Sequence, residues 1–127
     1  MTRVLDVLVL DDEPIVTSRV KPTLEKAGYN VEALTDSKMA MERIKKKRFD
    51  IIITDFKMKQ FSGLDLLVLQ KKLWLDTEVI IITGYATMET AKKALQSGGY
   101  DFISKPFKLN ELRDVVNQAA SKLKDTL

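Results

Sequence analysis

Five polar residues of this sequence have types that could do chemistry together. Three are aspartates, Asp11, Asp12 and Asp55, and the other two are Thr83 and Lys105. Carboxylates that lie close together cannot all stay ionised without a counter-charge, and Mg²⁺, which binds a few carboxylates, waters and a phosphate oxygen, would supply it. An ammonium and a hydroxyl beside them could bind the oxygens of a phosphoryl group, with one carboxylate as the nucleophile. The set indicates aspartyl phosphate chemistry, provided that the fold brings these residues together.

The residues that the sequence lacks narrow the chemistry further. It contains no cysteine and no histidine, which excludes disulfides, thiol nucleophiles, serine–histidine machinery and imidazole metal ligands. The 127 residues suit one domain, and we interpret the net charge of +3 as solvated helix faces rather than a nucleic-acid surface. No apolar run approaches the roughly 20 residues that span a bilayer, and the N-terminus does not resemble a signal peptide. We therefore expect a cytoplasmic protein that binds neither membranes nor nucleic acid directly.

The elements that position the polar residues are five short apolar runs, separated by segments with helical spacing. The predicted strands are Val4–Leu10, Tyr29–Leu34, Phe49–Asp55, Glu78–Thr83 and Tyr100–Ser104. The predicted helices begin at Pro14, at Asp36 or Ser37, after Gly63, at Thr87 and at the capping residue Asn110. Strands that alternate with helices predict an α/β domain with a single five-stranded parallel sheet, order 2-1-3-4-5, and helices on both faces, the flavodoxin-like doubly wound arrangement. We expect this one domain to span residues 1–127.

Helical spacing also predicts which side chains the first two helices bury. The inward residues of the first helix are expected to be Ile15, Val16, Val20, Leu24 and Ala27. Those of the second helix are expected to be Met39, Met41 or Ala40, and Ile44. Pro22 falls inside the first helix, where it removes one backbone hydrogen bond and should bend the helix, and the sequence gives no functional reason for it.

The predicted strand order brings the five polar residues to one edge of the sheet. Because the first and third strands are neighbours, Asp11, Asp12 and Asp55 meet at the carboxyl edge, where open α/β sheets bind ligands. Thr83 and Lys105 end the fourth and fifth strands at the same edge. Each residue alone has an ordinary structural use, because acidic residues favour helix N-termini and turns, threonine can cap a helix and lysine is common on surfaces. Their agreement in type, order and strand-end position favours the phosphoryl pocket.

The motifs around these residues resemble those of the receiver domains of two-component response regulators along the whole chain. They are Asp11-Asp12-Glu13, Asp55-x-x-Met58-x-x-x-x-Gly63, Thr83-Gly84 and Tyr100-Asp101-Phe102-Ile103-Ser104-Lys105-Pro106-Phe107. The resemblance implies that Asp55 accepts a phosphoryl group from a phosphohistidine on a sensor histidine kinase. It further implies that Thr83 and Lys105 bind the phosphoryl oxygens. The Mg²⁺ ligands that it implies are Asp11, Asp12, Asp55 and the backbone carbonyl of Lys57.

The same resemblance implies how the phosphoryl group is sensed. Phe102 matches the family's switch aromatic, which turns inward when Thr83 moves, and the Lys105–Pro106 peptide bond is expected to be cis. The face formed by the fourth helix, the fifth strand and the fifth helix would then bind an effector domain or protein, or a second receiver. We expect a switch rather than an enzyme, one that only assists its own phosphorylation and dephosphorylation.

Lys57 and Tyr85 lie two positions beyond Asp55 and Thr83, respectively. Our hypothesis is that both side chains border the phosphoryl pocket, obstruct the attacking water and slow the loss of the phosphoryl group. The alternative is that both point to solvent.

Two other functions stay open at this point. One is a docking module that works without phosphorylation. The other is an Mg²⁺-dependent aspartyl-phosphate hydrolase similar to the haloacid-dehalogenase family, which is disfavoured because Lys57 stands where such enzymes need a second acid and no cap domain is present. We also expect the chain to be either a free-standing receiver or the N-terminal part of a longer response regulator.

Overall fold

The structure, a computed structural model, describes residues 3–84, 88–96 and 98–125. Its strands are β1 (Asp6–Leu10), β2 (Asn30–Leu34), β3 (Ile51–Asp55), β4 (Glu78–Thr83) and β5 (Asp101–Ser104). Its helices are α1 (Pro14–Lys26), α2 (Ser37–Lys46), α3 (Gly63–Leu73), α4 (Met88–Gln96) and α5 (Leu109–Asp125). All paired strands are parallel, in the order β2-β1-β3-β4-β5. The predicted fold class and strand order are therefore confirmed.

The two faces of the sheet carry separate apolar cores. Alternate residues of β3 point to opposite faces, so that Ile51 and Ile53 pack with α1 and α5 while Ile52 packs with α2 and α3. Every residue of β3 and β4 is buried, as expected for central strands of a parallel sheet that is covered on both sides. None of the helices in the described ranges is both long and apolar enough to cross a membrane.

Three of the predicted core positions are wrong. Ala27 lies just beyond the end of α1 and is exposed. Ile15 and Met39 are also exposed, although both were expected to face the core. On α2 the buried stripe follows Ala40 and Ile44, which are four positions apart, and about 100° of rotation per residue puts Met39 on the opposite side. The same reasoning applies to α1, where Val20 and Leu24 are buried and Ile15 lies outside their stripe. A short helix buries one stripe, and these two apolar residues are not on it.

The boundaries of several elements also differ from the prediction. The first, second, third and fifth strands begin later than predicted, although Phe49, which precedes the third strand, stays buried. The last helix begins at Leu109, so Asn110 lies in its first turn and is not the cap. Instead, the backbone N–H of Lys108 donates to Glu111 Oε1 (3.3 Å), which is one half of a capping box. The predicted start of α4 at Thr87 lies outside the described residues.

The ends of α1 and the start of α2 follow the prediction. Gly28, with φ of 101°, turns the chain after α1 in a conformation that favours glycine. The Asp36 side chain accepts from the backbone N–H groups of Lys38 and Met39 and caps α2. Pro22 lies inside α1, which stays helical from Pro14 to Lys26, and nothing in the structure explains its presence.

Candidate functional site

The carboxyl edge of the sheet carries a cluster of four acids. Asp11 directly follows β1 and Asp55 ends β3, and the register of Leu10 opposite Thr54 places the two aspartates side by side. One carboxylate oxygen from each of Asp11, Asp12, Glu13 and Asp55 can be chosen so that all four lie within 4.8 Å of one another. The fold therefore brings together the three predicted carboxylates, and it adds Glu13 to them.

Asp11 shows that this cluster suits a cation. Its side chain is fully buried, and its Oδ1 accepts from the backbone N–H of Glu13 (2.9 Å). Its Oδ2 lies 2.8 Å from Lys105 Nζ, which is an ion-pair distance, but it accepts no hydrogen bond of acceptable geometry from any described residue. A buried carboxylate oxygen without a hydrogen bond is costly unless a charge compensates it. The all-oxygen donor set is the kind that Mg²⁺ prefers.

Lys105 is the cation that the structure places among these acids. Its Nζ lies 2.8 Å from Asp11 Oδ2, 3.0 Å from Glu13 Oε1 and 3.1 Å from Asp55 Oδ2. Burial by itself would lower the pKa of Lys105, but the three carboxylates outweigh burial and raise the pKa above the usual lysine value. Lys105 is therefore a permanent positive charge at the position predicted for a phosphoryl-binding residue.

The surroundings of Asp55 disfavour its ionised form. It is only 6% exposed, and burial raises its pKa. The neighbouring charges of Asp11 and Asp12 add to that rise, while the hydrogen bond from Lys105 opposes it without cancelling it. A further cation at this edge would therefore favour the carboxylate form of Asp55.

Thr83 ends β4 beside the cluster. Asp55 is in register with Ile82, so the buried Thr83 lies one position beyond it on the neighbouring strand. The backbone N–H of Lys105 donates to the Thr83 carbonyl (2.8 Å), which ties the ends of β4 and β5 together. The strand ends thus bring the predicted hydroxyl and the predicted ammonium to the same edge as the predicted phosphoacceptor.

Gly63 fixes the loop that follows Asp55. Its backbone N–H donates to the Phe56 carbonyl (2.8 Å), and α3 begins at this residue behind a capping box formed by Ser62 and Asp65. A Cβ at Gly63 would overlap the backbone carbonyl of Asp55. The glycine of the quoted motif is therefore required by a close approach of α3 to the backbone of Asp55.

The other predicted site residues are Phe102, Lys105–Pro106, Lys57 and Tyr85. Phe102 lies opposite Ile81 and packs, partly buried, on the core under α2 and α3. The Lys105–Pro106 peptide bond is cis, as the resemblance implied. Lys57 is exposed in the loop between β3 and α3, and Tyr85 lies outside the described residues.

Glu13 is the residue of the site to which the sequence analysis gave no role. It was quoted only as the third member of the Asp11-Asp12-Glu13 motif, yet its carboxylate reaches Lys105 across 92 positions of sequence. The residue type could have indicated a role for Glu13, because it occupies the N-cap of α1, where shorter polar side chains are preferred.

Comparison with known proteins matches these observations to one family. The sequence model of the response regulator receiver domain matches residues 7–117. The response regulator protein PilR of Pseudomonas aeruginosa is 34% identical over 112 residues, which are 88% of this chain and 25% of PilR. The nitrogen assimilation regulatory protein NtrX of Azorhizobium caulinodans is 33% identical over 121 residues, 94% of this chain and 27% of NtrX. The chain thus spans about a quarter of the length of these relatives.

Solved structures give the same match in three dimensions. A CheY-like receiver domain protein from Methanospirillum hungatei superposes with a TM-score of 0.93 at 25% identity, covering 98% of this chain and all of that one. NtrX from Brucella abortus, solved in complex with ADP, superposes with a TM-score of 0.88 at 31% identity. That superposition covers 98% of this chain and 29% of the NtrX chain.

Proposed function

Because the chain belongs to the response regulator receiver domain family, we propose that it is a signalling switch activated by phosphorylation of Asp55. The donor is a phosphohistidine on a sensor histidine kinase. The observation that carries the proposal is the placement of Lys105 Nζ 3.1 Å from Asp55 Oδ2 and 2.8 Å from Asp11 Oδ2, inside a cluster of four acids. This arrangement offers a nucleophile, a fixed positive charge and ligands for a cation at one sheet edge.

The residues present fit the Mg²⁺ that receiver domains bind at their acidic pocket. Asp11, Asp12, Asp55 and the backbone carbonyl of Lys57 would hold it, and the unsatisfied Asp11 Oδ2 supports this assignment. When bound, the ion neutralises negative charge on the acids and on the phosphoryl oxygens.

The protein's own groups account for the rest of the transfer. An oxygen of the Asp55 carboxylate forms a bond to phosphorus, while the bond from phosphorus to the histidine nitrogen breaks and its electron pair stays on the imidazole. Lys105 and Thr83 bind the oxygens of the transferred group, Lys105 through charge and Thr83 through its hydroxyl. The chain thus assists its own phosphorylation and is not an enzyme acting on other substrates.

The conformational response begins at the strand ends. Phosphorylation adds about −1.5 to −2 charges beside Asp55. Thr83 moves toward the new oxygens, and Phe102, now partly buried beside Ile81, turns further inward into the space that is freed. The face made by α4, β5 and α5 then changes and binds an effector domain, an effector protein or a second receiver.

Lys57 and Tyr85 set the lifetime of the phosphorylated form. Lys57 follows the phosphoacceptor by two positions in an exposed loop, from which a long side chain can reach water that approaches Asp55. We expect Tyr85→Ala to lose its phosphoryl group severalfold faster than wild type, measured as the decay of the phosphorylated mass after the donor is removed. An unchanged decay rate would contradict the hypothesis.

The proposed domain spans residues 1–127, either as a free-standing receiver or as the first part of a longer response regulator. The match to only a quarter of PilR and NtrX is consistent with the second arrangement. A cytoplasmic location, expected from the sequence, stays a prediction.

Incubation with acetyl phosphate and Mg²⁺, followed by intact mass spectrometry, tests the proposal. A switch gains one phosphoryl group that is stable for minutes, and the gain is lost in Asp55→Asn but kept in Asp114→Asn, which changes an exposed aspartate of α5. Continuous turnover of the donor without an adduct would instead indicate a hydrolase. No adduct and no turnover would indicate a docking module.

A further inference from the structure

Three carboxylates surround the Lys105 ammonium, and one of them, that of Glu13, is not a predicted metal ligand. A lysine ammonium carries three N–H groups. Three carboxylate oxygens surround it, from Asp11 at 2.8 Å, Glu13 at 3.0 Å and Asp55 at 3.1 Å. Glu13 and Asp55 accept hydrogen bonds from Lys105, and Asp11 lies at ion-pair distance from it, so a phosphoryl oxygen that approaches the ammonium competes with these carboxylates.

Of the three contacts, that between Glu13 and Lys105 costs the least free energy to break. Asp11 is fully buried, so its carboxylate cannot exchange Lys105 for water, and Asp55 is the residue that carries the phosphoryl group. The Glu13 side chain is 59% exposed, and water can therefore solvate its carboxylate as soon as it leaves Lys105. Of the three carboxylates, that of Glu13 can therefore leave Lys105 most readily when another acceptor arrives.

The local structure of α1 does not explain why this residue is a glutamate. Glu13 is the N-cap of α1, a position where Asp, Asn, Ser and Thr are favoured because their side chains bond the first backbone N–H groups. The Glu13 side chain makes no such bond, and its carboxylate lies on Lys105 instead. Glu13 therefore does not stabilise the start of α1 as a cap, and its side chain contacts Lys105.

We propose that Glu13 is a positioning residue that competes with the incoming phosphoryl group for Lys105 and so slows phosphorylation of Asp55 by small phosphodonors. The proposal rests on the function proposed above. With acetyl phosphate, an oxygen of Asp55 forms a bond to phosphorus while the bond from phosphorus to the acetate oxygen breaks, and acetate leaves with the electron pair. No proton is transferred, because Lys105 only exchanges one acceptor, the Glu13 carboxylate, for a phosphoryl oxygen.

The first test measures the initial rate of phosphorylation by acetyl phosphate at saturating Mg²⁺, using intact mass. Glu13→Gln should raise this rate about two- to fivefold, the range that corresponds to an ion pair with an exposed partner. The matched control is Glu25→Gln, which removes the same charge from an exposed position about 18 Å further along α1 at the helical rise per residue. Its rate should equal that of wild type.

A second variant separates the contact from the charge. Glu13→Asp keeps the negative charge but is one methylene shorter, which takes the carboxylate away from Lys105, and aspartate suits the N-cap of α1. We expect it to speed phosphorylation while its melting temperature stays equal to or above that of wild type. In both Glu13 variants the Lys105 ammonium protons, observed by NMR without phosphodonor, should exchange with water faster than in wild type.

Each other outcome overturns the proposal in a recognisable way. Wild-type rates in both Glu13 variants, or a faster rate only in Glu13→Gln with unchanged exchange at Lys105, would show that the contact does not compete. Failure of wild type to form any adduct would overturn the proposed function itself, and the role of Glu13 with it.

Discussion

Buried aspartates lie directly before β3 and at its carboxyl end, and their surroundings have opposite electrostatic effects. Asp50, at the amino end, is 1% exposed and accepts from Arg3 Nη1 (2.9 Å), Arg48 Nη1 (2.8 Å) and the backbone N–H of Asp6 (2.7 Å). Burial alone would raise the pKa of Asp50, but these donors outweigh burial and hold the pKa below its usual range. Asp55, at the carboxyl end, has a raised pKa because burial and the neighbouring acids Asp11 and Asp12 outweigh the effect of Lys105.

The difference separates a structural acid just before β3 from a reactive acid at its end. The Asp50 carboxylate accepts hydrogen bonds from three donors, so its charge stabilises the fold and is not available for chemistry. Asp55 is surrounded by more negative than positive charge, so the site favours the arrival of a cation or the transfer of charge to a new group. Burial is common to both residues, and the donors around each carboxylate decide its role.

The largest effect should come from removing the acid at the amino end. Asp50→Ala leaves the Asp6 N–H and the two arginines without their shared acceptor, and we expect it to lower the free energy of unfolding by about 3 kcal/mol, because three hydrogen bonds to a buried charged group are lost. Asp55→Asn, by contrast, removes like-charge repulsion and should raise the melting temperature. Urea unfolding of both variants tests the contrast, which fails if Asp55→Asn is the more destabilising change.

A smaller effect should come from crowding the backbone of Asp55. Gly63→Ala places a methyl group against the Asp55 carbonyl, and overpacking of this kind costs about 1–3 kcal/mol. We also expect slower phosphorylation, because the loop after Asp55 must shift. The matched control is Gly84→Ala, where the nearest atom of the described residues to an added Cβ is 4.0 Å away, and its unfolding free energy should stay close to that of wild type. Equal costs for the two alanines would contradict the close approach of α3.

The smallest effect is a difference in titration, measured by NMR of the side-chain carboxyl carbons in metal-free protein. Asp55 should gain its proton at a higher pH than Asp50. The two shifts also change stability with pH in opposite directions. Because the pKa of Asp50 is lowered in the folded state, Asp50 stabilises the fold above its unfolded pKa, and this stability is lost as the pH falls through its folded pKa. Asp55 has a raised pKa, so its protonation stabilises the fold as pH falls through that value.

Binding of Mg²⁺ should shift the titration of Asp55 but not that of Asp50. Because the predicted ligands include Asp55 and not Asp50, saturating Mg²⁺ should lower the pH at which Asp55 gains its proton and leave Asp50 unchanged. A shift of both carboxyl groups would indicate a general salt effect, and a shift of neither would contradict the metal assignment.

The positions that depend on the pattern of strands and helices could be predicted from the sequence. A β-branched run that ends in Asp55 predicts a buried strand, and the alternation of strands with helices predicts the parallel order that sets it beside Asp11. Thr83 and Lys105 followed from the same rule, since parallel strands end at a common edge.

The parts that depend on side-chain reach were not predictable in the same way. The sequence analysis included Asp50 in the third strand and did not identify its arginine partners, which come from before β1 and from the residues after α2. Glu13 lies directly before α1 and Lys105 directly after β5, and their side chains meet across 92 positions of sequence. Such contacts join segments far apart in sequence, and helical or strand periodicity carries no information about them.

The central claim is that Asp55, and not another acid of the cluster, accepts the phosphoryl group. Reduction of the acetyl phosphate-treated protein with borohydride converts an aspartyl phosphate to homoserine, and peptide mapping then locates it. We predict homoserine at position 55 in wild type and in Glu13→Gln, at a higher level in the variant. Homoserine at position 11 or 12, or its absence from every position while the protein carries a phosphoryl group, would contradict the account.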